Sequence, residues 1–186
     1  MAASPELREL RRSHEPSPGV ELVRHYLSDL VYGANDGIIT TFAVVTGVAG
    51  AALDPAVALI LGVANLFADG FSMGASSFLS IRSEEAVRAT RGEAMEEPFP
   101  FRHGLATLVA FVVAGSVPLV PYVLAPPELR LRVAVAMTLV TLFVVGALRA
   151  LVTSLRWWRA GLEMLLVGAV AAAVSYGVGA AVSGLV

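Results

Sequence analysis

The chain of 186 residues has no cysteine and no lysine. Without cysteine there is no disulfide, no thiolate metal site and no sulfur nucleophile, and nothing to read about redox compartment. Without lysine there is no Schiff base and no amine base. All thirteen basic residues are arginine, the codon bias of a GC-rich genome and a pointer to a bacterial source. Charge of either sign is scarce. Only 15% of residues are charged and 56% are hydrophobic, where a soluble domain carries about 25% charged residues. Mean hydropathy is +0.75. These values exclude an ordinary soluble domain and describe one compact polytopic membrane unit. Enzyme signatures are missing too: no Gly-x-Ser-x-Gly, no histidine pair at metal spacing, no phosphate-cradling glycine loop. Neither a Tyr-Asp nor a Gly-x-Gly-Asp run marks an intramembrane aspartyl protease. The histidines, His14, His25 and His103, all fall outside the apolar runs. No enzymatic activity, resident cofactor or nucleic-acid partner is expected.

What is present is a series of five apolar stretches, each near the ~20 residues a helix needs to cross a bilayer. They cover about 30–52, 55–81, 105–124, 129–151 and 161–186 and predict an all-α protein with five transmembrane helices. Residues 1–24 are polar, rich in Glu, Arg, Ser and Pro, with no apolar run of the kind a cleavable signal peptide needs. They are expected to form a mobile cytoplasmic tail, and the amphipathic residues 21–30, Asp29 among them, are expected to lie at the interface as the entry to the first span. A tight loop at 51–54 separates the first two spans. Asp54 suits an N-cap, and Pro55 the first helical position. Pro118 and Pro121 are expected to loosen the far end of the third span. Trp157 and Trp158, in the last connection, read as an interfacial aromatic anchor.

Arginine distribution sets an orientation. The tail and the four successive loops hold 4, 0, 4, 2 and 3 arginines. Positive charge stays inside, so the N-terminus is expected in the cytoplasm and the C-terminus on the far side. In a bacterium the membrane is the cytoplasmic one; the alternative is a vacuole-like membrane.

Polar residues inside the apolar runs carry the functional signal. Asp69 lies near the middle of the second span. A carboxylate there costs roughly 2.5 kcal/mol even on the lenient insertion scale, so it needs a partner, a proton or a cation. Asn65, Asp69 and Met73 are spaced four apart and share one helix face, offering an amide oxygen, a carboxylate and a thioether. In the first span Asp36 follows Asn35 and precedes Gly37, close to the cytoplasmic boundary. Thr40 is one turn on, and the Asn-Asp-Gly run is a place for the helix to break. Carboxylates suit divalent ions, and a thioether tilts a site from Mg²⁺ and Ca²⁺ towards iron. The bland alternatives are helix–helix packing for Asp69, Asn65 and Met73, and an interfacial acid for Asp36. Glu163 and Met164 open the last span and offer a metal entry point; the plainer role of Glu163 is at a helix N-terminus, favouring the dipole. The second loop holds Glu84, Glu85, Glu93, Glu96 and Glu97, which could gather cations or simply form a solvated face beside four arginines. Gly70, Gly74 and Ala75, with Gly168, Ala172, Gly177, Gly179 and Gly184 in the last span, permit close helix packing in a bundle or a dimer.

Two runs carry a family resemblance. Tyr-Gly-Ala-Asn-Asp-Gly-Ile-Ile-Thr-Thr-Phe-Ala-Val-Val-Thr-Gly-Val (32–48) resembles the first span of the vacuolar iron transporter family, and Ala-Asp-Gly-Phe-Ser-Met-Gly (68–74) its second. Residues 102–111 and 161–168 are similar to its third and fifth spans. The resemblance implies a five-helix transporter that works as a homodimer with the path at the subunit interface. It implies cargo of ferrous iron, and often manganese, leaving the cytosol in exchange for protons. Asp36 matches the family's translocation aspartate and Met73 its second-span methionine. Asn65 stands where plant members have a glutamate, and Asp69 takes over that charge. Plant members also insert a long glutamate-rich cytoplasmic domain after the second span. About twenty residues stand there in this chain, too few for that domain, with the five glutamates of the second loop as its remnant.

Overall fold

The computed structural model describes residues 20–150 and 155–185. The expected tail up to residue 19, His14, the end of the fourth stretch at residue 151 and residue 186 lie outside the described residues. Everything regular among the described residues is helical.

Helix α1 is Val20–Gly50, unbroken through Asn35-Asp36-Gly37. The expected break there is absent because glycine costs only about 1 kcal/mol in a helix, and Gly37 is held against Phe111 of a neighbouring helix. Because α1 starts at Val20, Asp36 falls at its middle and not near its end. Leu53 donates its N–H back to Val48 to close the turn. Ala52 takes φ +53° there. As expected, Asp54 caps the next helix, its side chain accepting the Ala56 N–H at 2.8 Å with Pro55 just after it.

Helix α2, Pro55–Thr90, has 36 residues. At ~1.5 Å per residue it is far longer than a ~30 Å hydrocarbon core. Its last turns therefore carry Arg82, Glu84, Glu85 and Arg88, and half of the expected second loop is helix. No proline or glycine interrupts 75–90, which is why it runs on. Helix α3 is Pro100–Gly115. The chain then tightens into a 3₁₀ turn, Val117–Leu119, and a short α4, Val120–Leu124. Pro118 and Pro121, both fully buried, produce that change. Helix α5 is Arg130–Arg149 and α6 is Trp157–Ser183. The tryptophans thus open α6, which leaves Glu163 in its second turn with no acid in the first.

Among the described residues four segments are long and apolar enough to cross a membrane: α2, Pro100–Leu124, α5 and α6. Helix α1, though 31 residues long, is not among them. Asn35, Asp36, Thr40, Thr41 and Thr46 dilute its apolar residues. It is nonetheless the centre of the bundle, packed against α2, α3, α5 and α6. Ile38, Thr41, Phe42 and Val45 are buried on it, and Phe111, Leu142 and Met164 close round from α3, α5 and α6. Three of the four buried threonines bond back into their own helix, and the Thr41 hydroxyl has no hydrogen-bond partner. Thr46 and Thr138 donate to the carbonyl four residues back, at 3.0 and 2.6 Å, and Thr107 shares its proton between the His103 carbonyl at 3.0 Å and Asp29 at 3.3 Å. Contact between α2 and α3 is close enough that a Cβ on Gly74 would lie 2.7 Å from the Gly104 carbonyl oxygen.

Candidate functional site: a polar groove between α1 and α2

Serines and acids on two helices face one groove of about 590 Å³. From α1 come the adjacent Ser28 and Asp29, then Tyr32 and Asp36 at successive helical turns. From α2 come Asp69, Ser72, Met73, Ser76, Ser77 and Ser80, the same periodicity continued for three turns. Thr107 of α3 closes the side. Asp36, Asp69 and Met73, distant in sequence, therefore line one space. Two carboxylates lining one space form an arrangement that a cation or a proton between them would stabilise. Thr40, on the Asp36 face, donates to the Asp36 backbone carbonyl at 2.8 Å and not to its carboxylate.

Other sequence candidates lie elsewhere. Asn65 is half-buried one turn before Asp69, outside the groove lining. Asn35 does not line it either, but its Oδ1 is buried without a hydrogen-bond partner. Glu163 pairs with Arg149 at 2.8 Å on the surface, and Met164 is buried against Ile38 and Leu142. In the second connection Glu85 accepts the backbone N–H groups of Glu96 and Glu97. Glu93 and Glu96 pair with Arg88. Glu84 accepts from Ser80 at 3.3 Å. Four of the five loop acids are thus engaged within their own segment; Glu97 alone reaches α1 and α3.

Sequence reading missed Asp29 and the serine stripe. Asp29 had the look of an interfacial residue. Its carboxylate instead takes His103 Nδ1 at 2.6 Å and the hydroxyls of Ser77 and Thr107 at 3.3 Å each. The signal that could have found the stripe is the spacing of Ser72, Ser76 and Ser80, four apart and in phase with Asp69 and Met73 after one step.

Comparison with known proteins decides the family. The sequence profile of the VIT family matches residues 27–98 and 87–180. The chain belongs to the VIT family. This VIT-family chain is 26% identical to vacuolar iron transporter 1 of Eucalyptus grandis, over 220 aligned residues covering 87% of each chain. It is 29% identical to vacuolar iron transporter homolog 4 of Arabidopsis thaliana over 162 residues, 82% of this chain and 81% of that one. A vacuolar iron transporter of Plasmodium berghei is 48% identical over 59 residues, 32% of this chain. The Eucalyptus alignment is longer than this whole chain, so many of its positions are gaps opposite residues of the relative. With its apolar helices, the VIT-family chain is an integral membrane protein.

Proposed function

We propose that the chain carries Fe²⁺, and Mn²⁺ with it, out of the cytosol through the α1–α2 groove in exchange for protons. The observation that carries the reading is the convergence of Asp36, Asp69 and Met73 on one groove, in a chain whose relatives are named iron transporters. Two carboxylates and a thioether form a donor set for a first-row divalent ion. Such an ion displaces protons from the carboxylates as it binds, and protons replace it as it leaves. That exchange couples the two flows with no separate proton site.

In this reading α1 is the fifth crossing. Its Asn, Asp and Thr residues face protein or the groove, so it needs less apolarity than a lipid-facing helix. Arginine placement supports a cytoplasmic N-terminus and a C-terminus on the far side; the all-arginine complement supports a bacterial cytoplasmic membrane. A homodimer completes the path. Asp36 and Asp69 are only half-buried, and Ser72 and Ser76 are exposed, within helices of membrane-spanning length. A polar stripe at that depth needs protein or water over it, and a second copy across a twofold axis supplies both a cover and a doubled ligand set.

The test is Fe²⁺ uptake into proteoliposomes with a pH dye inside, wild type beside Asp69→Asn. Uptake with matching proton movement, lost in the variant, supports the antiporter. Uptake without proton movement makes the protein a passive cation channel. No flux from a folded wild type makes it a member that has lost transport and serves a structural or regulatory role.

A further inference from the structure

We propose that His25, Glu97 and His103 form a separate binding site for one first-row divalent transition ion, beside the groove but not part of it. The three come from the start of α1, the connector before α3 and the first turn of α3. Nε2 of His103 and Nε2 of His25 face the same Glu97 oxygen, at 3.1 and 3.2 Å. The three donor atoms all lie within 4.8 Å of one another. Ligands held about 2.0–2.1 Å from one tetrahedral ion are themselves some 3.3 Å apart, so the ion fits with small side-chain movements.

The surroundings prepare the histidine. His103 is 10% exposed at its side chain. Its Nδ1 is fixed by Asp29 at 2.6 Å, and Asp29 is fixed in turn by Ser77 and Thr107. This is the carboxylate–histidine arrangement that fixes the orientation of a metal-binding imidazole. With Nδ1–H donated to Asp29, a neutral ring turns the Nε2 lone pair towards the Glu97 oxygen. That Nε2 is buried and makes no aligned hydrogen bond. Two acceptors 3.1 Å apart repel unless something positive sits between them. Tyr26 packs on both rings, with centroids 4.8 and 4.7 Å away, and steadies them. Two imidazoles and one carboxylate favour Fe²⁺, Mn²⁺, Co²⁺ or Zn²⁺ over Mg²⁺ and Ca²⁺. Asp29 also lines the groove, so the site stands one carboxylate away from it.

Co²⁺ titration of the full-length chain in detergent, after chelator treatment, tests this. The background is the Asp36→Asn/Asp69→Asn double variant, which silences the groove. The expected result is one Co²⁺ per chain with visible absorption bands of a nitrogen-ligated ion. His25→Ala and Glu97→Gln should each weaken binding about tenfold or more, with helical circular dichroism unchanged. His25 is exposed, so its replacement spares the fold. No stoichiometric Co²⁺ in the double variant overturns the site and leaves a proton-bridged ion-pair cluster. Binding unaltered in both His25→Ala and Glu97→Gln overturns it equally. Neither result depends on whether the groove transports, so the two readings fail separately.

Discussion

Helices α1 and α6 are opposites. The first is not among the four segments apolar enough to cross a membrane, and it sits at the centre, touching every other long helix of the bundle. The second passes the length-and-apolarity criterion easily, yet only 11% of its most apolar stretch is buried. In water the order would be reversed, since apolar residues move inside. In a bilayer the lipid takes the apolar surface, and protein contacts go to small and polar residues. The α1–α6 seam shows it: the Ser175 hydroxyl donates to the Ala43 carbonyl, and Gly179 abuts the Gly47 carbonyl. Polarity on α1 is therefore a sign of its position and of its groove, and apolarity on α6 is a sign of solvent.

The largest expected effect breaks the comparison at its functional end. Asp36→Asn should reduce proteoliposome Fe²⁺ uptake to background, while Val174→Leu on the exposed face of α6 should leave the wild-type rate. Next is packing. A Cβ at Gly37 would collide with the Phe111 carbonyl oxygen, so Gly37→Ala should cost about 1–3 kcal/mol, read as a lower midpoint of denaturant unfolding in micelles. Asp54→Ala removes the side-chain acceptor at the start of α2 and should cost about 1 kcal/mol in the same assay. The smallest effect sharpens the contrast. Nothing lies within 4 Å of a Cβ placed on Gly177 of α6, so Gly177→Ala should stay within about 0.5 kcal/mol of wild type.

Much of this was legible from residue order. The Asp54–Pro55 start of α2 follows from local chemistry, and the Pro118–Pro121 break from missing N–H groups. Asp69 and Met73 announced a common face because helical periodicity is local. The run-on of α2 to Thr90 was not legible, since a charged helix and a charged loop have similar composition. His25 and His103 fit no local metal spacing, and their pairing exists only because α1 and α3 pack side by side.

By itself, the sequence determined that the protein belongs in a membrane, that it is helical, and which buried acids need a counter-charge. Those properties depend on composition and short-range periodicity. Tertiary structure alone decided that Asp36 and Asp69 share a groove, that Asp29 belongs to it, and that two histidines meet over Glu97. Such meetings depend on which helix faces pack together, and that is set by glycine contacts and long-range geometry no single segment contains.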